Sequence, residues 1–240
     1  MFDVEDRHWW YLGNHENFLG ILNDHRILKQ GINVLDAGCG TGGWLQILNR
    51  NIDINETGLD NRETALEFAK LRNIKNLVNG DVNNHEFPDS NFELITCFDV
   101  VYHKDVNDTM AVRNFNRSLK ENGFLLITVP AYSFLYSKHD EVVHTNKRYS
   151  RKEIRLLLEN NGFEIIKLSY SVSLLFPIAL IKRLFDKILS SEKNEHNEVS
   201  MPPSLINTMF LSIMRFERWL MKFINFPFGL SVLALARKKT

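Results

Sequence analysis

Asp36, Gly38, Gly40, Gly42 and Gly43 fall within eight residues, and two more aspartates, Asp60 and Asp81, follow at intervals of twenty-odd residues. Glycines packed this densely let a ligand approach bare backbone, and the N–H groups of the following helix start point at it. Gly38, Gly40 and Gly43 fit the G-x-G-x-x-G spacing of dinucleotide sites, with Asp60 placed where a ribose-binding acid belongs. Taken alone, that pattern suits a nicotinamide cofactor. Asp36 shifts the balance, because a carboxylate directly before the turn repels a pyrophosphate and tolerates a cation. The expectation is a cationic cofactor without phosphates. The competing readings are a nicotinamide-dependent oxidoreductase and a non-catalytic cofactor-binding scaffold at a membrane.

The elements that position these residues alternate in type. Ile32–Asp36 reads as a strand, Gly42–Arg50 as a helix, Ile52–Asp60 as a strand, and Arg62–Arg72 as a helix. Leu77–Val82 and Phe92–Val101 follow as strands, then Val106–Asn122 as an amphipathic helix and Gly123–Pro130 as a fifth strand. Lys152–Asn161 is a helix, Phe163–Tyr170 a sixth strand and Ser231–Arg237 a last one. Short apolar strands alternating with amphipathic helices predict a doubly wound, mostly parallel α/β sheet in one domain. Residues 1–30 read as an N-terminal helical lid and 171–230 as a helical insertion before the last strand.

The 240 residues carry 29 basic and 29 acidic side chains, so net charge is zero and no nucleic-acid partner is expected. Cys39 and Cys97 lie in apolar strand contexts, which implies no disulfide framework and a cytoplasmic setting. The acidic start Met1–Asp6 lacks the apolar core of a secretory signal, and no apolar run reaches the roughly 18 residues that span a bilayer.

Three histidines are placed to act as a general base near neutral pH: His103 just past strand four, and His139 and His144 in the loop after strand five. Each also has a plain packing or surface reading. His139, Asp140, Glu141 and His144 have ligand chemistry, but such spacing is common in loops and no metal is expected. Lys147, Arg148 and Tyr149 are candidates for holding an anionic acceptor, with arginine offering a two-pronged fork. Alternatively, Ser150 and Glu153 form a capping box and the stretch merely starts the next helix. Trp9 and Trp10 read either as a packing anchor or as an aromatic lid, with Trp10 expected at the cofactor. Within 171–230, the helix Leu205–Phe226 carries a polar stripe of Thr208, Ser212, Arg215, Arg218 and Lys222. It reads as a cap on the core, a homodimer face, or an interfacial helix with basic residues (Lys182, Arg183 and Lys187 among them) that touches the cytoplasmic membrane face.

Val34–Gly42, Gly58-Leu59-Asp60, Asn79-Gly80-Asp81-Val82, Phe98-Asp99-Val100 and Leu119–Leu125 together resemble the class I S-adenosylmethionine-dependent methyltransferases. The likeness covers about residues 31–170 and the final strand. It implies a seven-stranded Rossmann-like sheet with an antiparallel last strand, S-adenosyl-L-methionine as cofactor, and a small-molecule, glycan or lipid-linked acceptor. It also implies roles. Asp36 and the Gly38–Gly42 turn would face the methionine part and the sulfonium. Asp60, with Asn61 beside it, would hold the ribose, and Asp81 and Val82 would flank the adenine. Phe98 and Asp99 would close the pocket, and His103 would lie on the acceptor side. A softer likeness rests on Trp9-Trp10, Val129–Tyr132, His139-Asp140, His144, Lys147–Tyr149 and Pro227–Ser231. It points to a bacterial subgroup associated with glycosyltransferases of polyprenyl-linked sugars. On this reading Gly40→Val blocks the cofactor and spares the fold.

Overall fold

The computed structural model describes residues 2–181 and 201–239; the side chain of His139 and residues 182–200 lie outside that description. The seven strands are β1 Asn33–Ala37, β2 Asn55–Asp60, β3 Leu77–Asn79, β4 Phe92–Phe98, β5 Leu119–Pro130, β6 Phe163–Ser171 and β7 Ser231–Lys238. They form one sheet in the order β3-β2-β1-β4-β5-β7-β6. β1 pairs in parallel with β2 and β4, whereas β7 runs antiparallel to both β5 and β6. The Rossmann-like methyltransferase sheet expected from the sequence is therefore present. Val34, Leu35, Leu94, Ile95, Leu125 and Leu126 are almost fully buried, as strands covered on both faces must be.

The helices are α1 Phe2–Glu5, α2 Trp9–Asp24, α3 Gly43–Asn51, α4 Glu63–Leu71, α5 Asp108–Ser118, α6 Lys138–Val142, α7 Arg151–Asn160 and α8 Ser204–Leu220. The capping box of α7 is formed: the Ser150 side chain accepts from the Glu153 N–H, and Glu153 accepts from the Ser150 backbone. Several boundaries differ from the sequence reading. β5 begins at Leu119, where a helix was expected, because Leu119 pairs with Phe92 and Asn122 takes a left-handed φ of 61°. That turn lets the strand bend and re-enter register at Phe124↔Leu94. β3 stops at Asn79 and β4 at Phe98, which leaves Asp81 and Asp99 in the loops beyond the strand ends.

α8 ends at Leu220, short of Phe226, and packs along α2. Its basic residues turn toward α2: Arg215 pairs with Glu16 at 2.6 Å and Arg218 with Asp24 at 2.5 Å, with Lys222 also beside Asp24 at 3.8 Å. Thr208 and Ser212 donate to carbonyls one turn back along their own helix. Three of the five residues of the expected polar stripe thus form an ion-paired seam between two helices. Glu217 is buried and accepts the N–H groups of Ser173 and Leu174 at 2.6 and 2.9 Å, which fixes the chain leaving β6.

The helices approach closely because α2 presents Gly13, and a Cβ there would lie 2.5 Å from the Met214 sulfur of α8. Gly13→Val should push α8 off α2 and destabilise the protein by about 1–3 kcal/mol, as overpacking does. Thermal unfolding together with limited proteolysis checks this: the variant should melt several degrees lower and be cut sooner in 201–226.

Candidate functional site

β1 delivers Asp36 to the carboxyl edge of the sheet, the place where open α/β sheets bind ligands. Asp36 is 3% exposed, and its carboxylate accepts the Thr96 hydroxyl of β4 at 2.7 Å. Burial pushes its pKa up to about 7; the Thr96 bond opposes the shift, and the Asp60 and Glu5 charges add to it. The turn that follows needs glycine. Gly38 has φ +88°, and a Cβ there would drive into the Val100 side chain. Gly40 has φ +53° and donates its N–H to Asp60 Oδ2 at 2.9 Å. Valine at 40 would therefore strain the turn as well as fill it, which corrects the expectation that Gly40→Val spares the fold.

Asp60 ends β2, is buried, and its Oδ1 accepts the Arg62 N–H at 2.9 Å. One oxygen thus holds the glycine turn while the other holds the start of α4. Asn61 is exposed beside it. Asp81 is half-buried, and its Oδ1 accepts the Asn83 N–H at 2.7 Å in a local turn, while Val82 is buried in the core. Asp99 has φ +54° and lies 3.4 Å from the Thr128 hydroxyl, and burial raises its pKa to about 6. The Phe98 ring stacks on Phe18 of α2 at 3.9 Å and meets Trp44 of α3 edge-on at 5.5 Å. Phe98 therefore joins α2 to α3, the helix that opens at the glycine turn.

The N-terminal segment brings residues the sequence reading missed. The Glu5 carboxylate, from the one-turn α1, is buried against Gly43 and accepts the Thr41 hydroxyl. Burial raises its pKa, partly offset by the Thr41 bond and by Arg72. Arg72 is itself buried and binds Glu5 at 3.1 Å, Asp6 at 2.8 Å and Gln46 at 2.9 Å. Tyr11 of α2 feels the charges of both Glu5 and Asp99, which add to burial in raising its pKa. Trp10, expected at the cofactor, instead packs on Val172, Leu175 and Met214 beneath α8. No spacing rule marks Glu5, because its partner stands 67 residues away.

The acceptor-side candidates separate. His103 Nδ1 donates to the Val143 carbonyl at 3.0 Å, a bond that leaves Nε2 as the acceptor nitrogen. Burial lowers its pKa, keeping the ring neutral at pH 7. His144 is exposed at φ 55°, its carbonyl accepting the Lys104 N–H. His139 falls in α6 with its side chain outside the described residues. Asp140 is consumed by a buried two-pronged pair with Arg148, at 2.8 and 3.1 Å, and among the described residues no group of three or more His, Cys, Asp or Glu is arranged for a metal. Arg148 also donates to the Ala131 carbonyl at 3.0 Å. Tyr149 is fully buried and donates to Asp108 at 2.9 Å. Lys147 pairs with Asp108 at 2.8 Å and lies over the Tyr149 ring at 4.6 Å. The expected anion-holding trio is thus engaged in building the loop after β5, and Arg148 has no free fork to offer.

The carboxylates Asp36, Asp60, Asp81 and Asp99 stand at or just past the ends of four neighbouring strands, with Asp60 bonded to the glycine turn, and suit a ligand with a cationic centre and ribose hydroxyls and oppose a pyrophosphate. A family model described as a methyltransferase domain matches residues 15–168. The chain belongs to this family of S-adenosylmethionine-dependent methyltransferases. It is similar to phosphoethanolamine N-methyltransferase 3 of Arabidopsis thaliana, 31% identical over 147 residues that cover 57% of this chain and 30% of the relative. It is also similar to a sterol 24-C-methyltransferase of Gibberella zeae, 30% identical over 156 residues that cover 62% of this chain and 38% of the relative. The chain thus spans about a third of the length of these curated relatives. The crystal structure of Haemonchus contortus phosphoethanolamine N-methyltransferase 2 in complex with S-adenosyl-L-methionine shares the fold, with a TM-score of 0.65 at 17% identity. That match covers 100% of this chain and 58% of the other. These relatives lend no support to the narrower likeness to the polyprenyl-sugar subgroup.

Two outcomes follow from the geometry. Asp36→Asn keeps the Thr96 bond but loses the charge, so binding of the sulfonium cofactor should fall at least tenfold above pH 7. The demethylated product, a neutral thioether, should lose far less. A carboxylate and a cation about 5 Å apart interact by about 3 kcal/mol at an effective dielectric of about 20. The raised carboxyl pKa means Asp36 takes stability from the ligand-free protein as pH rises from about 4 to about 7; the Asn variant loses that share of the slope and keeps those of Asp99 and Glu5. Calorimetry with both ligands and melting curves against pH check both points. Arg148→Ala strands the buried Asp140 and should lower stability by roughly 3–5 kcal/mol with no acceptor present, measured by denaturant unfolding.

Proposed function

We propose that this chain transfers a methyl group from S-adenosyl-L-methionine to a small amphipathic or lipid-like acceptor. The observation that carries the reading is the row of aspartates at the strand ends beside the glycine turn, with Asp36 and Asp60 buried and Asp36 bonded to a neutral hydroxyl. When bound, the cofactor supplies an electrophilic methyl on a positively charged sulfur. Asp36 and the turn hold the charged end, Asp60 holds the ribose and Asp81 with Val82 flanks the base. Tyr11, Phe98 and Asp99 line the closure between the lid and β4. Positioning in a water-poor cleft provides most of the acceleration in such a displacement.

For an acceptor that must lose a proton, His103 is the base this reading favours, because its ring is held neutral with Nε2 available. His144 is exposed and carries no such arrangement. The lipid-like acceptor class rests on likeness to proteins named for phosphoethanolamine and sterol methylation; a glycan or a lipid-linked sugar is tested alongside.

Two measurements test the proposal. Titration with S-adenosylhomocysteine and with NADH should show one-site binding of the first and none of the second; the reverse would identify a nicotinamide enzyme. Labelled-methyl transfer should then be assayed with phosphoethanolamine, a sterol, a demethylated quinone and a polyprenyl-linked sugar. His103→Asn should lower kcat at least a hundredfold on the accepted substrate with cofactor affinity unchanged. Cofactor binding with no transfer to any fraction of a cell extract would leave a scaffold.

A further inference from the structure

The face of α8 turned away from α2 is apolar and uncovered among the described residues. Leu205 is 83% exposed, Phe216 54%, Trp219 53% and Phe223 71%, with Met209 between them. Phe216, Trp219 and Phe223 touch one another, the first two stacked at 5.8 Å and the last two edge-on at 5.5 Å. With exposed Ile206 on one flank, the arc of α8 from Trp219 to Ile206 covers about 140° at 100° per residue, wider than the seam a helix pair covers; Ser212 is the polar residue within it, and Phe223 and Ile224 follow in the turn after the helix. No acidic side chain stands on it: Glu217, the sole acid between Met201 and Phe226, points inward and is buried. The opposite flank is the ion-paired seam with α2, where Arg215, Arg218 and Lys222 stand against Glu16 and Asp24 and leave one net positive charge.

We infer that this face seats the protein on a lipid bilayer surface bearing anionic headgroups. An apolar arc with aromatic rings, no acid among its exposed residues and a margin of one net positive charge matches a helix lying in the headgroup plane. No helix among the described residues is long and apolar enough to cross a membrane, so attachment is from one side. The face is joined firmly to the rest of the molecule. Phe210 of α8 packs edge-on against Trp9 at 5.1 Å, and Asn207 accepts the Trp9 N–H at 2.9 Å. Seating α8 therefore fixes α2, the helix that carries Tyr11 and Phe18 to the cofactor turn. A second copy of the chain is the rival occupant, disfavoured by the width of the arc.

The inference does not depend on methyl transfer, since vesicle binding is read without cofactor or acceptor. The full chain should float with phosphatidylcholine vesicles and several-fold more strongly when phosphatidylglycerol is included. Trp219 emission should shift to the blue, and Trp219→Phe should remove most of that shift. The combined variant Phe216→Glu, Trp219→Glu, Phe223→Glu changes only exposed positions. It should lose vesicle binding about tenfold or more while keeping S-adenosylhomocysteine affinity and its far-ultraviolet spectrum. Absence of wild-type flotation with either vesicle, or equal flotation of the triple variant, overturns the inference. A concentration-dependent dimer in sedimentation that the triple variant abolishes, with no flotation, reassigns the face to a second copy.

Discussion

Negative charge held out of water at the carboxyl edge of the sheet is the constraint around which the rest is arranged. Asp36 is buried with a neutral hydroxyl for a partner, Asp60 is divided between two backbone amides, and Glu5 closes over the same turn. The basic groups that reach this set act from its margins: Arg72 binds Glu5 and Asp6, and the largely exposed Arg62 lies 3.4 Å from Asp60. Isolated buried carboxylates neutralise themselves by shifting pKa, and Asp36 does so. A ligand bringing a positive centre relieves that shift, and one bringing phosphates worsens it. On the proposed reading, the same charge pattern would set both the affinity for a sulfonium and the discrimination against a dinucleotide.

How legible this was depends on the range of the interactions. The sheet, the glycine turn and the acids near three strand ends are local: apolar runs, turn residues and spacing mark them directly. The capping box at Ser150 is local as well. Glu5 and Arg72 meet across 67 positions, so neither announces itself. Arg148 and Tyr149 show the opposite failure. Their types suggest ligand binding, but their environment consumes them. A guanidinium facing Asp140 with 6% exposure is an internal strut, and burial is the one property that residue type does not reveal. Trp10 was placed on the lid by its neighbourhood in sequence, but the helical turn between Trp10 and Tyr11 rotates them to different surfaces. Tyr11 approaches the acids while Trp10 faces α8.

α2 is shared by two surfaces, and that sharing couples them. One side stacks Phe18 on Phe98 above the glycine helix; the other takes Met214 against Gly13 and the ion pairs of Glu16 and Asp24. The exposed pair Glu16–Arg215 contributes little to stability, as surface pairs generally do. The join between α2 and α8 rests instead on close packing at Gly13, and buried Glu217 ties α8 to the chain leaving β6, where its loss would leave two backbone N–H groups unpaired. Close-packed contacts move as units and deform little. A displacement of α8 is therefore transmitted as a shift of the whole of α2, and reaches the glycine turn through Phe18, which meets Phe98 at the end of β4 and Trp44 at the start of α3.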